Sequence, residues 1–171
     1  MSDQALFLLV EDGEDDLLLI KRAFMKAKML NPVQVVKTGE EAIAYLQGRG
    51  KYSNRAEFPL PSLVLLDIKM PGLDGFQVLE WIRAQPALKP LRVVMLTSSD
   101  DMRDVNRAYQ LGANSFLIKP VDFERFVEIS QALAGYWLWM DKAPDVLRPP
   151  TIDYPDPAQI FLGARLPDRR P

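Results

Sequence analysis

The sequence predicts an α/β fold, a single parallel sheet of five strands wound on both faces by helices. Three observations carry this. Five short apolar runs punctuate the chain as far as Ile118. Between them lie segments whose apolar residues recur at intervals of three and four, the spacing of a helix with one buried face. Strand and helix therefore alternate, and strands separated by helices imply right-handed crossovers and parallel pairing.

The first run, Leu6-Phe7-Leu8-Leu9-Val10, has no polar position, as expected of a strand covered on both faces. Glu11-Asp12-Gly13 bounds it. A helix follows on the stripe Leu17, Ile20, Phe24 and Met25, with Lys21, Arg22, Lys26 and Lys28 mostly off the stripe. Asn31-Pro32 stops it. Val33–Val36 is the second strand, and Thr38-Gly39-Glu40-Glu41 matches a capping box opening a helix through Ile43 and Leu46. Gly48 to Pro61 holds two Gly, two Pro and mostly polar residues, and reads as a long exposed loop. Leu63–Leu66 is the third strand, ending at Asp67. The turn Met70-Pro71-Gly72-Leu73-Asp74-Gly75 leads to a helix over about 76–84 with Phe76, Leu79 and Ile82 on one face. Arg92–Leu96 is the fourth strand, ending at Thr97. Asp101–Leu111 is a helix stopped by Gly112. Ser115–Ile118 is the fifth strand, ending at Lys119-Pro120, and Asp122 caps a last helix through Phe126, Ile129 and Leu133 to Trp139.

The domain is expected to span 1–140. Residues 141–171 differ: seven of the chain's 14 prolines lie there, and five Lys and Arg balance five Asp. Such a segment suits neither a helix nor a central strand, so it reads as a Pro-rich C-terminal extension rather than an output domain. With 171 residues in all, the chain has room for one domain with an appendage.

Composition narrows the chemistry. The net charge of −2 gives no sign of a dominant basic face for nucleic acid. No apolar run approaches a membrane span of about 18 residues, and no signal peptide opens the chain. There is no Cys, which suits a reducing compartment, and the expected location is the cytoplasm. There is also no His, so neither a Ser-His-Asp triad nor a histidine metal ligand exists. Chemistry must run on carboxylates, Lys, Arg, hydroxyls and a hard cation.

Polar residues end four of the five strands: Glu11-Asp12, Asp67, Thr97 and Lys119. In an open parallel sheet those ends share one edge, where ligands bind. Glu11, Asp12 and Asp67 suit Mg²⁺, which prefers oxygen ligands. The acids from Glu11 to Asp16 equally suit a helix N-terminus, and Glu14 and Asp15 are expected to do only that. Asp67 reads as a strand stop or as a carboxylate nucleophile able to accept a phosphoryl group as an acyl phosphate. Singly, the plainer readings compete well; their convergence on one edge favours the chemical ones.

Together these residues resemble the receiver domains of two-component response regulators. The match rests on Glu11-Asp12, Leu-Leu-Asp67-Ile-Lys-Met-Pro71-Gly72-Leu-Asp74-Gly75, Thr97-Ser98 and Lys119-Pro120, in family order and spacing over about 5–140. The resemblance implies a flavodoxin-like receiver fold with strand order 2-1-3-4-5. It implies Asp67 as phosphoacceptor and a Mg²⁺ site of Glu11, Asp12, Asp67 and the backbone carbonyl of Lys69. It further implies that Lys119 pairs with the phosphoryl group, that Thr97 swings toward it, and that Phe116 turns inward behind Thr97. Lys69 and Ser99 occupy the positions that tune access of water to the phosphoryl group. The implied donor is the phosphohistidine of a sensor histidine kinase, and the implied output is contact with another protein.

A narrower resemblance, to the small stand-alone regulators paired with bacterial phytochrome kinases, rests on Gly50-Lys51-Tyr52, Lys119-Pro120-Val121-Asp122-Phe123 and Tyr136-Trp137-Leu138-Trp139. Trp137 and Trp139 point about 200° apart on a helix, so one of them leaves the domain's own core. A homodimer through the last helix is expected to cover it, with the Pro-rich extension as the other candidate cover. Two rivals are a Mg²⁺-dependent aspartyl phosphatase and a scaffold that needs no phosphorylation. The first usually carries Asp-x-Asp, where this chain has Asp67-Ile-Lys69; intact Asp67 and Lys119 argue against the second.

Overall fold

A computed structural model describes residues 5–142, with side-chain surroundings as far as Gly135. Strands β1 (Phe7–Val10), β2 (Val33–Val36), β3 (Leu63–Asp67), β4 (Arg92–Thr97) and β5 (Ser115–Ile118) alternate with helices α1 (Glu14–Lys26), α2 (Gly39–Gln47), α3 (Gly75–Ala84), α4 (Met102–Gln110) and α5 (Phe123–Lys142). Every strand pairing is parallel and the order across the sheet is β2-β1-β3-β4-β5, the flavodoxin-like order expected. Tyr136, Trp137 and Trp139 fall on the part of α5 whose side chains lie outside the described residues, as does the 143–171 segment.

The unbroken apolar strands are explained by two cores. Leu8, Val10, Val64, Leu66, Met95 and Phe116 pack in one cluster with residues of α2, α3 and α4. Phe7, Leu9, Leu63, Leu65, Leu96 and Leu117 pack in the other with α1 and α5. Successive strand residues thus enter opposite layers, and each fully buried Leu contributes about 1.5–3 kcal/mol.

Helix ends follow local chemistry. α1 stops at Lys26, before Asn31-Pro32, because the Lys28 and Met29 amides donate to the Met25 and Phe24 carbonyls in a Schellman turn. Met25 leaves the buried stripe, 78% exposed, and Ala23 takes its place. At α2 the Thr38 hydroxyl accepts from the Glu41 amide at 3.0 Å, but the Glu41 carboxylate accepts from Lys37 N rather than Thr38 N, so the box closes one residue early. Gly112, at φ 94°, lets α4 end in a second Schellman turn. Its carbonyl accepts from Arg83 Nε at 2.8 Å, and the same guanidinium reaches Leu91 O and Asn114 Oδ1.

The 48–61 segment is mostly exposed, as expected, but it is anchored. It contains a 3-10 turn, Gly50–Tyr52, with Tyr52 only 6% exposed. Tyr45, Tyr52 and Phe58 form an aromatic cluster with centroids 4.9–6.1 Å apart. Arg55 donates to the carbonyls of Tyr45, Leu46 and Phe58 at 2.7–3.1 Å, satisfying the end of α2. Polar composition hid this because the anchoring is done by a charged side chain on backbone. Among the described residues no helix is long and apolar enough to cross a membrane.

Candidate functional site

Register delivers the polar residues to one edge. Val10 is level with Val36 and Leu66, Asp67 with Leu96, and Thr97 with Ile118. Glu11 N donates to Val36 O, Ile68 N to Leu96 O and Lys119 N to Thr97 O, so the ladders run to the strand ends and hold these backbones in place. Glu11, Asp67 and Thr97 are all buried, at 1%, 5% and 1% exposure. Carboxylate oxygens of Glu11, Asp12 and Asp67 lie within 4.8 Å of one another, with Asp12 the most open of the three.

Lys119 sits among these acids. Its ammonium lies 2.5 Å from Glu11 Oε2, 2.8 Å from Asp16 Oδ2 and 3.5 Å from Asp67 Oδ1. Glu11 is held from its other oxygen by the Gly13 amide at 3.0 Å. Thr97 Oγ1 accepts from Ser99 N at 3.1 Å. Phe116 is fully buried in the core cluster that includes Val105 and Ala108 of α4. Lys69 is exposed, two residues beyond Asp67.

Burial pushes the Asp67 carboxyl up to about 7; the Lys119 charge pulls it down and the Glu11 charge pushes it further up. Burial works against the Lys119 ammonium, yet its bonds to Asp16 and Glu11 and the charge of Asp67 hold its pKa above the usual lysine value. Four carboxyl groups, those of Glu11, Asp12, Asp16 and Asp67, surround one ammonium, so negative charge is in excess. All donors are hard oxygens, so this set fits a divalent cation of the Mg²⁺ or Mn²⁺ kind and not a soft metal. The carboxyl of Asp67, an all-oxygen acidic cluster and the Lys119 ammonium thus meet at one sheet edge, with Thr97 ending the neighbouring strand.

Two residues of this arrangement were not legible in the sequence. Asp16 reads as one of three acids in a helical first turn, but its side chain crosses to Lys119. Gly75 reads as a turn glycine; a Cβ there would lie 2.3 Å from the Asp67 carbonyl oxygen and 2.8 Å from Ile68 Cα. Its amide donates to Ile68 O at 2.9 Å, which presses the start of α3 against the end of β3. Asp74 caps that helix in a full capping box with Gln77. Glu14, expected only at a helix terminus, also pairs with Lys37.

Residues 7–131 match the family model of the response regulator receiver domain. The chain is 35% identical over 145 residues to the probable methanogenesis regulatory protein FilR2 of Methanothrix harundinacea, covering 83% of this chain and 89% of that one. It is 34% identical over 142 residues to response regulator Rcp1 of Synechocystis, covering 81% and 95%. Among solved structures, the phosphorylated cyanobacterial phytochrome response regulator RcpA superposes with a TM-score of 0.73 at 32% identity over 83% of this chain and 99% of that one. The Mn²⁺-bound form of Rcp1 superposes with a TM-score of 0.70 at 31% identity, covering 82% and 97%. The matched span takes in all five strands and every strand-end residue described above, and the chain is accordingly a member of the response regulator receiver domain family.

Proposed function

We propose that the chain is a phosphorylation-driven switch that accepts a phosphoryl group on Asp67. The observation that carries this is the buried Asp67 carboxylate at the end of β3, with Glu11, Asp12 and Lys119 brought to it from β1 and β5. A carboxylate oxygen of Asp67 attacks the phosphorus of a kinase phosphohistidine. The P–N bond breaks, its electron pair leaves with the imidazole, which takes a proton from water, and an acyl phosphate remains. Glu11, Asp12, Asp67 and the backbone carbonyl of Lys69 would hold Mg²⁺, which when bound neutralises phosphoryl charge. Lys119 donates to a phosphoryl oxygen. Thr97 exchanges its bond to Ser99 N for one to the phosphoryl group. Phe116 shifts with it, and the response is a population shift at the face of β5, α4 and α5.

The kinase we propose is a phytochrome-type sensor kinase in the cytoplasm, on the strength of the likeness to RcpA and Rcp1 over more than 80% of this chain. The receiver ends near residue 140, the rest is a C-terminal extension, and output is by protein contact. A twofold dimer through α5 is part of the reading, resting on the Tyr136, Trp137 and Trp139 pattern.

The test is incorporation of phosphate from acetyl phosphate and from a phytochrome-type kinase under red and far-red light. Wild type takes up label with Mg²⁺ and loses uptake in EDTA, and Asp67→Asn takes up none. Label on the Asn variant at the wild-type level overturns the assignment of Asp67; transfer unaffected by EDTA removes the metal. Sedimentation of wild type and Trp139→Ala at micromolar concentration tests the dimer, which a monomeric wild type, phosphorylated or not, would overturn.

A further inference from the structure

We infer that Asp16 is a positioning residue for Lys119, holding its ammonium back from Asp67 until a phosphoryl group outcompetes it. The inference rests on the phosphoacceptor reading above and adds a resting-state latch to it.

An ammonium has three N–H donors. In Lys119, two are spent at hydrogen-bonding distance on Glu11, at 2.5 Å, and Asp16, at 2.8 Å. Asp67, at 3.5 Å, keeps only a longer ion pair with the ammonium. The residue proposed to bind the phosphoryl group is therefore held more closely by Glu11 and Asp16 than by Asp67. Its two holders differ. Glu11 is buried and fixed at its second oxygen by Gly13 N. Asp16 projects from the first turn of α1 with its side chain 46% exposed, while that of Lys119 is 10% exposed. Beside them opens a cleft of about 230 Å³, lined by Asp16, Ser98 and Lys119 together with apolar residues of α1, the β5–α5 turn and α5, Leu19 and Phe126 among them. Asp16 has water and space to retreat into, so it is the partner that yields.

Two consequences separate this role from that of an ordinary acid in a helical first turn. Removing Asp16 leaves the ammonium free to move toward Asp67, which favours an added anion there and disfavours an added cation. Binding of a phosphoryl mimic should rise while binding of Mg²⁺ alone stays level or falls. A loss of folding would weaken both. The α1 end and the β5–α5 turn are joined through this ion pair, so its release also loosens that connection.

The experiment titrates beryllium fluoride, whose adduct on a carboxylate mimics a phosphoryl group, in saturating Mg²⁺, and in parallel Mg²⁺ alone. It compares wild type, Asp16→Asn, Asp16→Glu, Asp15→Asn and Asp16→Asn in a Lys119→Gln background. Asp16→Asn is expected to bind beryllofluoride roughly three- to tenfold more tightly, with no gain for Mg²⁺ alone, as suits a half-exposed ion pair. Asp16→Glu restores the wild-type value, Asp15→Asn stays within about twofold of wild type, and Lys119→Gln abolishes the effect. Unchanged or weaker beryllofluoride binding in Asp16→Asn overturns the inference, as does an equal gain in Asp15→Asn, which would reduce the effect to net charge. A wild type that takes up no beryllofluoride removes the phosphoacceptor reading itself, and the latch with it.

Discussion

Replacing Asp67 by Asn should make the metal-free protein more stable, and the gain should grow with pH. The folded protein holds the Asp67 proton up to about pH 7, whereas an unperturbed aspartate loses it near 3.8. Between those values the native state binds more protons than the unfolded chain, so wild-type stability falls as pH rises through that window. At about 1.36 kcal/mol for each pH unit, ionising this carboxyl in the folded state costs about 4 kcal/mol above pH 7. Asn removes that cost, which is already net of the attraction to Lys119, for an expected gain of about 4 kcal/mol at pH 8. At pH 5 the native Asp67 is largely neutral while the unfolded chain is ionised, and the expected gain falls to about 1.6 kcal/mol. Urea denaturation in EDTA, followed by far-ultraviolet circular dichroism at both pH values, reads this directly. With a slope of about 2 kcal/mol/M, the midpoint at pH 8 moves up by about 2 M. Added Mg²⁺ at tenfold excess over its dissociation constant should return about 1.4 kcal/mol to wild type and little to the variant. A variant no more stable than wild type at pH 8, or one whose gain is equal at both pH values, would show that Asp67 is not a strained buried carboxylate.

Other perturbations test other links. Lys119→Ala should keep Mg²⁺ binding, since the ammonium opposes rather than assists a cation, yet lose the conformational response to phosphorylation; a full wild-type spectral change in the phosphorylated variant contradicts this. Gly75→Ala sets a methyl group against the Asp67 carbonyl and Ile68 Cα, and should cost about 2–4 kcal/mol; it should also slow phosphate uptake from acetyl phosphate, and unchanged stability and rate would refute the close approach. Arg55→Ala removes a donor from three carbonyls, of which Tyr45 O keeps the Gly48 amide, and should lower stability by about 2 kcal/mol in urea; a loss under about 0.5 kcal/mol would show that the segment is not anchored by this side chain.

Most of the fold was legible because its strands are covered on both faces. Runs such as Leu63–Leu66 have no solvent side, so no polar residue blurs their limits. Glu11, Asp12, Asp67 and Lys119 were legible for the same reason: a charge next to such a run has to lie at its end. The misses share a different cause. Met25 fits helical spacing as well as Ala23 does, and which of them is covered depends on how α1 is rotated against the sheet. Tyr52 and Arg55 sit in a segment of loop composition, and their burial depends on how the chain turns back on α2. Asp16 bonds a residue 103 positions away, a pairing that no local pattern encodes.

The Arg83 guanidinium has a mechanical consequence. It fastens the last turn of α4 through Gly112 O, and it does so at the sheet edge opposite the strand-end acids. α4 is thus pinned at its tail by a guanidinium, while its head is tied to the segment after Thr97 through the Asp101 amide on Ser99 Oγ at 3.3 Å. Nine residues make a lever of about 13 Å, so a tilt of about 10° about the pinned tail carries Met102 by about 2 Å while Gly112 stays still. If α4 tilts with the switch proposed above, the displacement is therefore largest at the helix start.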